Sequence, residues 1–349
     1  MITIDESCHV YILSLHVRTG GPQTLHQLLC GLKKRKANVS MVYMSEASIL
    51  KGVEPLYALS ALDIANEIDD DYKNIMIVPE VLTNILKDYK RIRKVVYWLS
   101  LDFYLQKNIS NCAKIKMRIW ELPTILYPIM YIYLFLKNKD KIVEDDSFFL
   151  DAFHLYNCEY IAEYLRKVGV SDEDMYYLCG PLDDAYIQQD RILEKNNSIV
   201  IAANRAKCSP ILVKAVKTAI QKKRKDIIIV LLNKMSSTQV ADALRFAKVY
   251  IDLGMFPGPE RMPREAVALW CNILISNKGA ASNSIDYPIY EEYKVNATLK
   301  NTRNIVEKAI QMLNEYEEHV HDFDRLRGKV NMQPEMFEEG IDKIFDVHF

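Results

Sequence analysis

The chain has 349 residues, enough for two domains of about 150 each rather than one. Half the residues are hydrophobic and 26% are charged, which excludes disordered and fibrous classes. Lysine plus arginine (45) nearly cancel aspartate plus glutamate (46), so a net charge of −1 provides no global field to draw nucleic acid.

In chain order, Met1 to Ser7 lacks the basic region and apolar stretch of a secretory leader. His9 to Leu15 is a short apolar run ending before Gly20-Gly21, which predicts a buried strand followed by a glycine turn. Thr24 to Lys34 then sets Leu25, Leu28, Leu29 and Leu32 on one helical face and closes in lysines, which favour a helix C-terminus. Further apolar stretches at 39–44, 75–78, 95–99 and 152–156 alternate with longer polar segments, the pattern of a parallel sheet covered on both faces.

Leu122 to Leu136 is apolar over 15 residues, short of the roughly 20 that span hydrocarbon. Lysines 114, 116, 137, 139 and 141 surround it. It reads either as a buried helix of the N-terminal lobe or as a helix lying on an anionic membrane surface.

After Asp183-Asp184 the pattern loosens into the charged stretch Gln188 to Asn197. The alternation then repeats, with strands at 198–203, 226–232, 249–253 and 272–276 and helices at 209–223, 237–247 and 263–271. From Thr302 onward the pattern is helical only. The expected fold is therefore α/β, with a Rossmann-like domain over 1–190, a second over 191–325, and a helical tail over 326–349.

The seven cysteines (8, 30, 112, 158, 179, 208 and 271) are odd in number, contain no Cys-x-x-Cys pair and lie mostly in apolar runs. They read as reduced thiols of a cytoplasmic protein. No repeat, heptad run or zinc-spaced cluster points to a binding module.

The stretch Ala247 to Leu269 carries the most chemistry: an apolar strand, a Gly/Pro loop through Gly258, and a helix with Pro263 near its first turn. Free N–H groups and the dipole make such a helix start an anion site. Glu265 has two acceptor oxygens suited to a pair of ribose hydroxyls, and Arg261 and Arg264 suit phosphate. On pattern alone, Glu265 serves equally well as a helix N-terminal carboxylate, and the arginines as surface ion pairs.

This stretch resembles the strand, loop and glutamate-bearing helix in the C-terminal lobe of GT-B glycosyltransferases, especially a bacterial surface-polysaccharide group of the retaining "group 1" enzymes. The resemblance extends to Lys94–Asp102, His154–Leu165 and Gly180–Ile187. It implies two Rossmann-like lobes facing a cleft, with C-terminal helices crossing back to the N-terminal lobe. The N-terminal lobe would serve the acceptor and the C-terminal lobe a nucleotide diphosphate sugar, with no other cofactor. Where the group has the first glutamate of a Glu-x7-Glu pattern, this chain has Pro257, which leaves the anomeric outcome open.

On the same resemblance Glu265 is the ribose-binding glutamate and Arg205 and Lys207 grip the donor diphosphate. Gly20 and Gly21 face the donor through backbone N–H groups, and Ser100 and Asp102 end a strand toward the acceptor. Asp102 is the candidate base if the enzyme inverts; helix capping is its alternative. His16 is a secondary candidate and His26 reads as structural. The implied partners are a nucleotide sugar and a glycan or lipid-linked glycan acceptor, with membrane contact through 122–136. The absence of a suitably placed Asp-x-Asp predicts metal independence. Rival readings are a nucleotide-sugar epimerase or hydrolase of the same fold, and a non-catalytic GT-B partner subunit.

Overall fold

The computed structural model describes residues 1–17, 19–44, 63–137, 151–191, 194–233 and 235–348. They form two compact units. One comprises Met1–Asn108, Asp140–Pro181 and Gln333–Phe349, the other Ile109–Lys139 and Leu182–Met332. The division thus falls at Pro181 rather than at 190. It assigns 109–139 to the second unit and begins the returning segment at Gln333 rather than 326.

The first unit contains β1 (Ile2–Ile4), β2 (Val10–Ser14), α1 (Gly20–Lys34), β3 (Val39–Tyr43), β4 (Ile75–Pro79), β5 (Arg93–Trp98) and α2 (Leu101–Leu105). The chain then runs through α3 (Ile109–Trp120) and α4 (Tyr127–Lys137), which belong to the second unit. It returns for β6 (Phe153–Tyr156), α5 (Glu159–Lys167) and β7 (Met175–Tyr177). The parallel sheet has the order β3-β2-β4-β5-β6-β7, and a lone parallel bridge joins Met41 of β3 to Ile64. Counted from Ile64 to β6, this is the 3-2-1-4-5-6 order of doubly wound dinucleotide-binding domains.

Strands β2 and β4 are buried along their whole length, as strands covered on both faces must be. Val10, Ile12, Ile75, Ile77, Val95 and Tyr97 share a core with the leucine stripe of α1. The end of the chain joins it. Phe337, Ile341 and Ile344 of the final helix (Asp324–Ile344) enter this core, and the last strand, Phe345–Val347, pairs in parallel with β1. Arg35 at the end of α1 binds Glu338 at 2.9 Å and also Asp342.

The second unit contains β8 (Asn196–Ala202), α6 (Pro210–Lys223), β9 (Ile228–Leu232), α7 (Ser237–Phe246), β10 (Ala247–Asp252), α8 (Arg261–Ala268), β11 (Asn272–Ser276), β12 (Lys294–Val295) and α9 (Thr302–Asn314). Its parallel sheet has the order β12-β11-β10-β8-β9. The helices are capped as their sequences dictate. Ser209 accepts from the Leu212 N–H with Pro210 at the first helical turn, and Ser236 and Gln239 form a reciprocal capping box. The buried Lys195 ammonium donates to the carbonyls of Arg245 (2.9 Å), Ala247 (2.8 Å) and Leu269 (2.8 Å), gathering the C-terminal ends of α7 and α8.

Helices α3 and α4 pack on each other through Ile109, Ala113 and Leu134, with Ser110 and Tyr127 hydroxyls 2.8 Å apart. Only Leu134 of α4 is buried. The reading of 122–136 as a buried helix of the N-terminal lobe is therefore overturned: an apolar run reports hydrophobicity, not the presence of something to cover it. Among the described residues no helix is long and apolar enough to cross a membrane. Among the described residues no cysteine forms a disulfide.

Candidate functional site

Open α/β sheets bind ligands beyond the C-terminal strand ends, at the point where the strand order reverses. In the second unit that point lies between β8 and β10, because β9 flanks β8 on one side and β10 on the other. The turn after β8 carries Asn204 to Lys207, and the loop after β10 carries Asp252 to Glu265. The structure thus brings together Arg205, Lys207, Gly258, Arg261, Arg264 and Glu265 at one end of one sheet.

The two loops are stitched to each other. Lys207 donates an ion pair to Glu260, and its carbonyl accepts from the Met255 N–H at 2.9 Å. Asp252 accepts from the Gly254 N–H (2.9 Å) and the Tyr250 hydroxyl (3.0 Å). Gly254 is closely packed there: a Cβ would stand 3.0 Å from Asp252 Oδ1 and 3.3 Å from Lys207 Cβ. Gly258 is buried and its carbonyl accepts from the Glu260 N–H at 2.9 Å. Arg205 lies exposed on the same turn as Lys207.

Glu260 is the N-cap residue of α8, yet its side chain makes no capping bond. Its carboxylate goes to Lys207, and the first-turn N–H groups keep no side-chain cap. Glu265 is 7% exposed and accepts from Arg261 Nε at 3.3 Å, while Arg261 Nη2 reaches Asp183 at 3.0 Å. Burial raises the Glu265 carboxyl above its usual value, and Arg261 pulls it back. Burial also raises Asp252, against the Gly254 N–H. Arg264 is buried, with Nε 3.3 Å from the Glu260 carbonyl, so it braces the helix start.

The first unit places Gly20, Gly21, Ser100 and Asp102 at the C-terminal end of its own sheet. Gly20 and Gly21 are the first two residues of α1 and not a turn preceding it. Neither has positive φ, so the pair opens the helix and offers its N–H groups there. Ser100 is the N-cap of α2, with a buried Oγ that has no hydrogen-bond partner. Asp102 does not cap that helix. It is 4% exposed and accepts from the Tyr160 hydroxyl at 3.3 Å. His16 keeps a buried, unpartnered Nε2 edge-on to Tyr43, and His26 is held between the Pro22 carbonyl (2.6 Å) and the Tyr43 hydroxyl (2.7 Å).

Two carboxylates escaped the sequence reading. Glu260 pairs with Lys207, and Glu80 follows β4 directly at the first unit's own switch point, between β2 and β4. Glu80 is 2% exposed, accepts from the Leu99 N–H at 3.0 Å, and has its pKa pushed up to about 7 by burial. Its position immediately after an apolar strand was the signal available.

No family model matches the chain, and no curated protein matches its sequence. Solved structures match its fold. Sucrose-phosphate synthase from Thermosynechococcus elongatus superposes with a TM-score of 0.55 at 10% identity, covering 96% of this chain and 98% of that one. WaaG, a glycosyltransferase involved in lipopolysaccharide biosynthesis, gives 0.50 at 9%, covering 95% and 98%. TarM from S. aureus, solved with fondaparinux, alpha-GlcNAc-glycerol and UDP, gives 0.51 at 11% over 79% of this chain. The chain spans 55% of TarM's length. These are GT-B glycosyltransferases, and the chain has their fold of two Rossmann-like units.

Proposed function

We propose that the chain is a glycosyltransferase that moves a sugar from a nucleotide diphosphate sugar to a glycan or lipid-linked glycan in surface-polysaccharide or glycoconjugate synthesis. The observation that carries this reading is the β10–α8 loop. It sets an uncapped helix start and a buried Glu265 at the switch point of one sheet, beside Lys207 of the turn after β8. The diphosphate takes the helix N–H groups with Lys207, Arg205 and Arg261, and the ribose hydroxyls take Glu265. In the first unit Gly20 and Gly21 at the α1 start serve the donor, and Ser100 and the Asp102 carboxylate serve the acceptor.

Charge developing on the departing diphosphate falls on these fixed cations and on the helix dipole, a preorganised arrangement that supports metal-independent transfer. The enzyme works on the cytoplasmic side, with residues 122–136 meeting the membrane.

The test is incubation of the full chain with labelled UDP-, GDP- and dTDP-sugars, with and without glycan acceptors. Label should transfer only when acceptor is present, and EDTA should not stop it. Activity lost in EDTA and restored by manganese would remove the metal-independent mechanism. Free sugar released without acceptor would favour the epimerase or hydrolase reading. No turnover and no nucleotide binding would leave a partner subunit.

A further inference from the structure

We infer that the cavity between α3 and the segment after β12 binds an acid-bearing saccharide, a sugar chain that carries a carboxylate or a phosphate ester. The site stands on the cavity's own chemistry; resting on the transferase reading, it narrows the glycan that the chain handles to an acidic one. The cavity, about 1030 Å³ in volume, is lined entirely from the second unit. Sites for small organic ligands hold roughly 300–1,000 Å³, so this one has room for sugar rings and not only for a lone ion. Lys114, Met117 and Arg118 line one wall at the i, i+3, i+4 spacing of a single face of α3. A second wall, with Asn296, Thr298 and Lys300, follows β12 at the C-terminal end of its strand.

Lys114, Arg118 and Lys300 line the cavity against one carboxylate, Glu121. One Glu121 oxygen accepts from the Leu299 N–H at 2.9 Å, and the other is buried without a hydrogen-bond partner. That carboxylate therefore ties the end of α3 to the second wall and does not reach the cations. Among the described residues none of the three cations makes an ion pair. Glu121 also holds a φ of 51°, a left-handed conformation that costs a non-glycine residue and sets the corner where α3 ends. The Lys278 ammonium, just after β11, donates to the Ala297 carbonyl at 3.3 Å. Burial lowers its pKa; Cys208 and Glu121 oppose the change, and Arg118 adds to it. Arg118 and Lys278 thus repel each other, a repulsion that an acid group on a ligand relieves.

The rest of the lining suits a sugar better than a bare anion. Among the described residues the side chains of Thr124, Asn296 and Thr298 make no hydrogen bond, and each has a hydroxyl or amide that pairs with sugar hydroxyls. Met117, Leu122 and the Tyr127 ring supply an apolar surface for the C–H face of a sugar ring. The Tyr127 hydroxyl is 2.8 Å from that of Ser110, which fixes the ring. The Arg118 guanidinium takes a carboxylate or phosphate through two parallel N–H groups, with the two ammoniums as point charges beside it. A few polar groups converging over apolar lining is the makeup of an organic-ligand site.

Two matched pairs test the site by calorimetric titration into the full chain: cellobiouronic acid with cellobiose, and lactose 1-phosphate with lactose. Inorganic phosphate is the bare anion. At least one acid-bearing disaccharide should bind one to one, about tenfold or more tighter than its neutral parent and than inorganic phosphate, as a charge-assisted hydrogen bond provides. Which pair responds tells carboxylate from phosphate ester. R118Q/K300Q should abolish the preference for the acid over its parent. N296A/T298V should weaken the responding disaccharide but not inorganic phosphate. Melting temperature and nucleotide binding should be unchanged in both variants. Failure of both acids to bind overturns the proposal, as does phosphate binding as tightly as the better acid, which marks a site for a small anion only. A preference that survives R118Q/K300Q, or a disaccharide untouched by N296A/T298V, overturns it as well. Acid-sugar binding absent while nucleotides bind sinks this inference alone; acid-sugar binding without any nucleotide binding sinks the transferase reading alone.

Discussion

Lys207 and Glu260 hold each other across the two loops at the β8–β10 switch point, so an incoming diphosphate competes with a carboxylate for the same ammonium. Replacing Glu260 with glutamine removes that competition and should tighten nucleoside diphosphate binding several-fold. Lys207→Ala should weaken it by about 10- to 100-fold, the worth of a charge-assisted hydrogen bond. Calorimetry at one ionic strength checks both; a loss in E260Q as large as in K207A would mean that Glu260 is needed to aim the lysine. Glu80 gives a second residue-level prediction. Its carboxyl is raised from 4.5 to about 7 by burial. Between those values the unfolded chain releases the proton while the folded chain retains it. This group's contribution to stability is therefore whole below pH 4.5 and is lost as pH rises toward 7, a change on the order of 3 kcal/mol. Urea unfolding of wild type and E80Q across this window should show stability falling more steeply with pH in the wild type. Parallel curves would contradict it. Asp252 and Glu265 are raised in the same direction, which is why the difference between the two proteins is the quantity to read.

At the scale of elements, Gly279 shows how closely the site loop is packed. It has a φ of 58°, and a Cβ there would lie 2.1 Å from the Phe256 carbonyl oxygen, which accepts from the Ala280 N–H at 2.8 Å. Gly279→Ala should cost at least about 2 kcal/mol and disturb the β10–α8 loop, seen as a lower urea midpoint together with weaker nucleotide binding. A midpoint equal to wild type would show that the loop yields easily. The strands were legible because parallel strands covered on both faces are uniformly apolar, and β10 running into Gly254 and α8 was the strongest such signal. Other elements were not legible, for physical reasons. Gly20-Gly21 suits a turn and a helix start alike, and only the backbone shows that it opens α1. The 122–136 segment was hydrophobic enough for a core, yet α3 covers only one side of it. Glu80 and Glu260 carry no spacing pattern; their importance follows from strand order and from which loop reaches which, both long-range facts.

For the whole molecule, sequence alternation located two doubly wound units but not where the chain passes between them. The passage at Asn108 to Ile109 falls in the short turn between α2 and α3, where no composition shift marks it. The final helix belongs to one unit at its start and to the other from Gln333 onward, with Pro334 at the changeover removing one helical N–H. The central claim is that the second unit binds a nucleoside diphosphate through Lys207 and Glu265. The most direct measurement is calorimetric titration of UDP, GDP and dTDP into the full chain, into K207A and into E265Q. The account predicts that at least one nucleotide binds the wild type one to one, with affinity reduced about tenfold or more in each variant. Absence of binding by all three nucleotides, or binding equal in wild type and both variants, would contradict it.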